Sequence, residues 1–261
     1  MHRGSPIAAP FAEQPWQAAP STVLLRLLST LASEPYNCVA LTPGRTAENL
    51  DRWFGAVEGL WLIAEHGAEL EPPLATTWES LRSPVSTDWK STGMPILEHF
   101  VDRTPGSFVE EKQYGLVWHY RMAEPEFGDW PANELVSMLE AMLAELRAFR
   151  GDKTIEVRPV WASKGEAFER LLACEGRDFM FAAGDDCTDE DLFERMPDGV
   201  WTVHVGPGPT RAAFVVRDFR NCTRGTANVC KIPRRLMKGI GNAAVILRPL
   251  YVQHFAHKVV S

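Results

Sequence analysis

The sequence predicts an α/β core that is interrupted by an α+β insertion. In residues 21–71 and again in 161–218, short apolar strands alternate with amphipathic helices, the pattern of a parallel sheet with helices on its faces. Residues 72–160 do not show this alternation of strands and helices. We therefore expect a core built from 21–71 and 161–218, with residues 72–160 forming a cap domain.

The core elements follow from the spacing of apolar residues. Leucines recur at helical spacing in "STVLLRLLSTLAS", which predicts an amphipathic helix, and "NCVALT" at 37–42 predicts a short buried strand. The helix "GRTAENLDRWFG" and the strand "LWLIAEH" continue this alternation. After the insertion it resumes with the helix "SKGEAFERLLAC", the strand "DFMFAAG", the helix "DEDLFERM" and the strand "VWTVHVG".

The insertion contains three predicted elements. "FVEEKQYGLVWHYRM" at 108–122 alternates along one strand, "NELVSMLEAMLAELRAF" at 133–149 forms a long helix, and "KTIEVRPV" at 153–160 forms another strand. A mixture of helix and strand outside the alternating core pattern indicates a separate α+β unit.

Length and composition exclude several classes of protein. The chain has 261 residues, 45% of them hydrophobic, which is enough for a sizeable core. It has neither a run of about 18 apolar residues nor a secretory signal, so we expect a cytoplasmic protein without a membrane span. The five cysteines are scattered and form no C-x-x-C pair, which predicts neither disulfides nor a zinc site.

The two ends of the chain differ from the rest. Residues 1–20 are rich in Pro and Ala and predict an extended lead-in. The net charge is −7, yet eight basic and no acidic residues occur from Phe219 onward, so 219–261 forms a divergent basic tail. Such a tail can bind nucleic acid; we favour a segment of different origin that folds poorly or packs locally.

The stretch "GDDCTDEDLF" at 184–193 carries five carboxylates within seven positions. Asp185 and Asp186 directly follow a predicted strand, at the sheet edge where open α/β sheets bind ligands. Adjacent carboxylates repel each other unless a cation neutralises them, and oxygen ligands suit Mg²⁺. The acids at 189–191 fall in the first helical turn, where capping explains them equally well.

Two further positions fit a phosphate. Lys164 begins the helix that follows the insertion, where an ammonium group and a helix N-terminus together attract a phosphoryl oxygen. Thr42, at the end of the "NCVALT" strand, could donate a hydrogen bond to a phosphate. An ordinary solvated lysine and a plain strand-to-helix turn are the alternatives.

These stretches, taken in order, resemble the trehalose-phosphatase family of the haloacid dehalogenase superfamily. The resemblance runs from about residue 20 to 219 and rests on "PYNCVALTPGR", "VWHYR", "EVRP" and "GDDCTDED". It implies a haloacid-dehalogenase-like Rossmannoid core with an α+β cap. It also implies Mg²⁺-dependent hydrolysis of trehalose 6-phosphate to trehalose and phosphate.

The resemblance also implies roles for individual residues. Asp185 would ligate Mg²⁺, with Asp186 and Asp189 supporting it, while Lys164 and Thr42 would act on the phosphoryl group. The polar positions that would bind the substrate are Glu111, Lys112, Arg121 and Glu156 in the cap, and Arg45, Glu65 and His66 in the core.

Three departures from the family pattern limit what can be inferred. The family begins with a strand ending in D-x-D-G-T, which supplies the nucleophile, the general acid and the central strand, whereas only "MHRG" precedes "SPIAAPF" here. Pro43 replaces a Ser or Thr and offers a phosphate neither hydroxyl nor N–H. The last family helix is not recognisable in 219–261.

We therefore expect a trehalose-phosphatase family member that is truncated at its N-terminus and inactive as written. The alternative is a pseudophosphatase, a regulatory sugar-phosphate-binding module beside a trehalose-phosphate synthase domain or subunit; Pro43 favours it, since truncation does not alter an internal motif. Nucleic-acid binding through the tail is a third and weaker hypothesis.

Overall fold

The computed structural model describes residues 19–216, apart from 21, 36, 83–84, 124, 143–144, 152 and 173–178, and also 243–247. Most of the predicted lead-in and all but five residues of the predicted basic tail lie outside the described residues. Among the described helices, none is long and apolar enough to cross a membrane.

The described chain alternates between helix and strand. The helices are α1 (Thr22–Ala32), α2 (Ala47–Phe54), α3 (Trp89–Arg103), α4 (Pro125–Met142), α5 (Lys164–Leu172) and α6 (Cys187–Arg195), with a 3₁₀ turn at Glu65–Gly67. The strands are β1 (Cys38–Leu41), β2 (Leu60–Ala64), β3 (Glu69–Glu71), β4 (Glu79–Ser80), β5 (Phe108–Glu111), β6 (Leu116–His119), β7 (Leu146–Gly151), β8 (Thr154–Pro159), β9 (Phe179–Gly184), β10 (Trp201–Val205), β11 (Phe214–Val216) and β12 (Ala243–Leu247).

The core is a sheet covered by helices on both faces. Its strand order within the described residues is β11-β10-β9-β12-β1-β2-β3-β4. Pairing is parallel from β11 through β2 and antiparallel at β3 and β4. Leucines 24 and 28 of α1 and Phe54 of α2 pack on one face, while Phe168 of α5 and Leu192 of α6 pack on the other. The predicted α/β core is confirmed.

The centre of the sheet is occupied by β12, a segment of the predicted basic tail. It pairs in parallel with β1 on one side and with β9 on the other, and its last residue, Leu247, lies beside Leu41 and Ala183. The family resemblance predicts its first strand at the centre of the sheet, and among the described residues β12 has that place. The sheet is therefore continuous, although the strand that completes it comes from the other end of the sequence.

The insertion forms a second sheet with the order β5-β6-β8-β7, entirely antiparallel. Side chains alternate between its two faces. One face, which includes Leu116, Trp118 and Ile155, packs on α3 and α4 and forms a separate apolar core. The other face is polar and points away from those helices.

Two predicted elements of the insertion are wrong. The single strand at 108–122 is a hairpin of β5 and β6, since the chain turns where the Lys112 amide donates to the Gly115 carbonyl at 2.9 Å. The predicted helix at 133–149 ends at Met142, and its last part becomes β7. Pairing with β8 along six residue pairs outweighs the helical spacing of that stretch.

A proline substitution tests whether β12 completes the sheet. Val245→Pro removes a backbone N–H from a strand that is paired on both sides, so the free energy of unfolding in urea should fall by about 2–3 kcal/mol. Glu79→Pro in the edge strand β4 is the control and should cost less than about 1 kcal/mol. Equal losses for the two variants would contradict the central position of β12.

Candidate functional site

The site lies at one edge of the core sheet. Because parallel strands end at the same edge, the ends of β1, β12 and β9 are neighbours, with Leu41 beside Leu247 and Leu247 beside Ala183. Thr42 follows β1, and Asp185 follows Gly184 at the end of β9. The topology thus brings together two segments that are more than a hundred residues apart in the sequence.

Asp189 holds the acid cluster in shape from a buried position. One carboxylate oxygen accepts from the Lys164 ammonium group at 2.6 Å. The other accepts from the amides of Asp185 and Asp186 at 2.8 and 3.0 Å. Its side chain packs so closely on Gly184 that a Cβ there would lie 2.1 Å from the Asp189 carboxyl carbon. Only glycine fits at the end of β9, because the carboxylate occupies that space.

Asp186 caps the N-terminus of α6. The side chains of Asp185 and Asp186 are only partly buried, unlike that of Asp189. Asp186 accepts from the Thr188 amide at 2.9 Å and forms a capping box with Asp189. One ligand atom from each of Asp185, Asp186 and Asp189 lies within 4.8 Å of the others. An all-oxygen set of this size fits a hard divalent cation, which takes one or two carboxylates together with substrate oxygens and waters.

Lys164 is buried rather than solvated. Its side chain is 0% exposed at the first residue of α5, with the Asp186 carboxylate 3.8 Å from its ammonium nitrogen and Asp189 closer still. A buried ammonium group needs an anionic partner, which Asp189 supplies. The alternative of an ordinary surface lysine is therefore wrong.

The polar face of the cap sheet closes onto the core through Lys112 and Glu156. The Lys112 ammonium group donates to the carbonyl of Gly44 in the core at 2.8 Å and to the Glu156 carboxylate at 2.9 Å. The other Glu156 oxygen lies 2.8 Å from Nε2 of His66 in the core. A Cβ on Gly44 would lie 2.2 Å from that same nitrogen, so the loop after β1 needs glycine there to admit the ring.

Burial decides the charge of His66. It lowers the pKa of the imidazole to about 3, and the charges of Arg158 and Lys164 act in the same direction against the attraction of Glu156. His66 is therefore neutral, with its proton on Nε2, where it donates to Glu156. Burial would raise the pKa of Glu156, but His66 and Lys112 outweigh it and hold the pKa well below its usual range.

Glu65 links the core to the cap backbone. Its buried carboxylate accepts from the amides of Gln113 and Tyr114 at 2.9 and 2.8 Å. Burial raises the pKa of Glu65, and these two hydrogen bonds and the charge of Lys112 oppose the rise. Both Glu65 and His66 have left-handed backbone angles, with φ of 44° and 58°, so this turn is held in place by its contacts with the cap.

The remaining predicted residues lie outside this network or at its margin. Glu111 is exposed and pairs with Lys90 at 3.0 Å, on the sheet face opposite Glu156. Arg121 is exposed just beyond β6. Arg45 stacks over the ring of Trp53 at 4.3 Å. Thr42 is buried, and its hydroxyl has no hydrogen-bond partner among the described residues. The roles of these four residues stay predictions.

Two residues of the polar cap face were missed in the sequence. Glu110 lies two residues before Lys112 on the same strand face, and its carboxylate is 2.8 Å from Nε2 of His119. Burial would raise the pKa of Glu110, but His119 and Lys112 hold it below its ordinary value. Arg158 lies two residues after Glu156 on β8 and is 1% exposed. The period of two along each strand was the signal that could have found both.

The chain is similar in sequence to proteins of known families. The family model of trehalose-phosphatase matches residues 8–213. The chain is 43% identical over 208 residues to a bifunctional trehalose-6-phosphate synthase/phosphatase of Thermoproteus tenax, covering 79% of this chain and 28% of that protein. It is 38% identical over 194 residues to a trehalose-phosphatase of Schizosaccharomyces pombe, covering 72% of this chain and 24% of that protein.

A solved structure has the same architecture. The C-terminal domain of the trehalose-6-phosphate phosphatase of Candida albicans superposes with a TM-score of 0.75 at 29% identity, covering 89% of this chain and 87% of that domain. By contrast, the chain spans only about a quarter of the length of the two curated relatives.

The neutral charge of His66 predicts a loss of stability in mild acid. Its pKa is about 3 in the folded state and about 6.5 when unfolded, so its contribution is complete above about pH 6.5 and declines as the pH falls. By pH 5 the loss should reach about 2 kcal/mol, measured by urea unfolding at each pH. His66→Asn, which tolerates the left-handed backbone, should flatten this dependence; an unchanged slope would contradict a neutral His66.

The link made by Glu65 predicts a local change in hydrogen exchange. Glu65→Gln presents an NH₂ group to one of the two amide donors and should cost about 2–3 kcal/mol of unfolding free energy. The amides of Gln113 and Tyr114 should then exchange at least about tenfold faster by mass spectrometry. Glu111→Gln, which changes an exposed carboxylate, is the matched control and should leave both rates unchanged. Full protection in Glu65→Gln would show that the carboxylate does not hold the cap.

Proposed function

Because the chain belongs to the trehalose-phosphatase family, we propose that it binds trehalose 6-phosphate together with Mg²⁺ between cap and core, and that it hydrolyses the ester little or not at all. The proposal has two parts, a binding site for the sugar phosphate and the absence of a nucleophile. Each part rests on a different set of contacts.

The core supports the phosphate end of the site. Asp185 and Asp186 would hold Mg²⁺, while Asp189 fixes their backbone and keeps Lys164 in place. The ion, when bound, would neutralise phosphoryl oxygens as a Lewis acid. The N-terminus of α6 begins at the same cluster and adds its dipole to the attraction of an anion.

The cap supports the sugar end. Its polar face presents the charged groups of Glu110, Lys112 and Glu156, each largely buried and oriented by a hydrogen bond. Fixed carboxylate and ammonium groups in a closing lid are suited to the hydroxyl groups of a disaccharide. Glu110 is included in place of Glu111, which lies on the opposite face of the sheet.

The observation that carries the proposal is the identity of the central strand. By its resemblance to the family, the reaction would begin with an aspartate at the end of the central strand attacking phosphorus. Here β12 has that position, and the residues that follow it in the sequence are Arg248, Pro249 and Leu250. We infer that a chain with this central strand keeps the binding groups but does not form an aspartyl-phosphate, since the sequence after β12 contains no Asp or Glu.

Binding without turnover suits a regulatory module, and we propose a trehalose-phosphate synthase domain or subunit as its partner. The relative from Thermoproteus tenax, whose name couples a synthase with a phosphatase, supports this association. We further propose that the protein works in the cytoplasm.

Isothermal titration calorimetry with trehalose 6-phosphate tests the proposal. Binding should be at least about tenfold tighter with Mg²⁺ than with a chelator, and Asp185→Asn should remove this difference because it removes an anionic ligand. Asp198→Asn, in an exposed loop, is the matched control and should behave like the wild type.

Two outcomes would contradict the proposal. An absence of heat with and without Mg²⁺ would show that the chain does not bind the sugar phosphate. Mg²⁺-dependent release of phosphate that is lost in Asp185→Ala would show that the chain is an active phosphatase.

A further inference from the structure

Arg158 is a buried cation whose hydrogen-bonding groups are not satisfied within the described residues. It is 1% exposed, and its Nε and both terminal nitrogens are buried without a hydrogen-bond partner there. Its close contact is with an aromatic ring, since the guanidinium carbon lies 3.8 Å from the centroid of Phe149. The ring orients the guanidinium plane but accepts none of its five N–H groups in the way an oxygen would.

A buried guanidinium group without hydrogen-bond partners lowers the stability of a protein that binds no ligand there. A guanidinium group stays charged at any physiological pH, and each buried donor without a partner costs about 1–3 kcal/mol. Removal of the whole group, rather than of one partner in a pair, is often neutral or stabilising. The position of Arg158 is therefore explained by an anion that the described residues do not supply.

The surroundings of Arg158 locate that anion at the acid cluster. Burial lowers the pKa of Arg158, while Glu156, Asp191 and Asp186 oppose the shift through their charges. The cap approaches α6 at this point, where the Cys187 thiol donates to the Arg150 carbonyl at 3.4 Å. The charges that act on Arg158 therefore come from Glu156 in the cap and from the N-terminal part of α6 in the core.

The charge balance of the site also requires a further cation. A phosphate monoester brings about two negative charges to a cluster that is already acidic. Lys164 is paired with Asp189, and Lys112 is paired with Glu156, both at less than 3 Å. Arg158 is the buried cation at this site for which the structure records no ion pair among the described residues.

We propose that Arg158 binds the phosphoryl group of the ligand directly, with its guanidinium donating two parallel hydrogen bonds to phosphoryl oxygens. This inference rests on the proposed function and adds to it a residue that distinguishes the phosphorylated sugar from the free sugar. Arginine suits this task because its planar fork matches two oxygens of one phosphate. As a residue of the cap, it also makes closure of the cap depend on the phosphate.

Titration of three ligands against two matched variants tests the inference. The ligands are trehalose 6-phosphate, inorganic phosphate and trehalose, each with Mg²⁺. Arg158→Met should weaken binding of both phosphate compounds by about tenfold or more and change trehalose binding less than about twofold. Arg158→Lys keeps the charge without the fork and should fall between wild type and Arg158→Met.

Two controls separate a lost ligand contact from a damaged fold. Arg147→Met removes an exposed arginine that stacks on the same Phe149 ring at 6.0 Å, and it should bind all three ligands like the wild type. Without ligand, Arg158→Met should unfold at the same temperature as the wild type or higher, because it loses unsatisfied donors.

Each contrary outcome has a distinct meaning. If wild type and Arg158→Met bind trehalose 6-phosphate equally, the inference fails and the proposed function stands. If trehalose binding falls by the same factor, Arg158 acts on the sugar or on the fold. If the wild type binds no trehalose 6-phosphate, the inference and the proposed function fail together.

Discussion

The contacts of one carboxylate, that of Glu156, join the two halves of this protein. It lies on the polar face of the cap sheet, and its two oxygens contact Lys112 from the cap and His66 from the core. Lys112 in turn donates to the Gly44 carbonyl, so four groups from the cap and the core share one network. An isolated buried carboxylate would be costly, and this network satisfies it only while the cap lies on the core.

The closed arrangement determines what the site can do. With the cap on the core, the charges of Asp186 and Asp191 act on Arg158 of the cap sheet. Asp189 uses both of its oxygens to hold Lys164 and the turn after β9, which leaves the shape of the cluster independent of the cap. The acid cluster and Lys164 are therefore held in place by contacts within the core. The cap contributes the other residues of the site.

The central strand has different requirements for folding and for catalysis. A parallel sheet of this kind is stable only when its centre is filled, and β12 fills it through backbone pairing on both sides. Backbone pairing does not depend on which side chain ends the strand, whereas nucleophilic catalysis requires a carboxylate there. The sheet thus does not depend on the side chain that nucleophilic catalysis would use.

Much of the core could be predicted from the sequence because its helices and strands are set by local spacing. The leucines of α1 and the apolar runs of β1, β2 and β9 carry that information themselves. The resemblance of "EVRP" and "GDDCTDED" to a family also led to Glu156 and to the acid cluster, in which one oxygen from each of three aspartates lies within 4.8 Å of the others.

The other features of the fold and of the site could not be predicted, because they depend on contacts between residues that are far apart in the sequence. Glu111 was named instead of Glu110 because the strand at 108–122 was predicted without its turn, so the face that packs on the helices was not assigned. The use of 243–247 as the central strand depends on pairing between distant segments, and nothing in "AAVIL" specifies its neighbours. Arg158 stands out only once the structure shows that it is buried and has no hydrogen-bond partner among the described residues.

Phosphorus-31 NMR of trehalose 6-phosphate mixed with the protein and Mg²⁺ tests most directly the claim that the site binds the ester without cleaving it. We predict that the ester resonance shifts or broadens as protein is added, and that no resonance of inorganic phosphate grows with time. An ester resonance that protein leaves unchanged, or a phosphate resonance that grows at its expense, would contradict the claim.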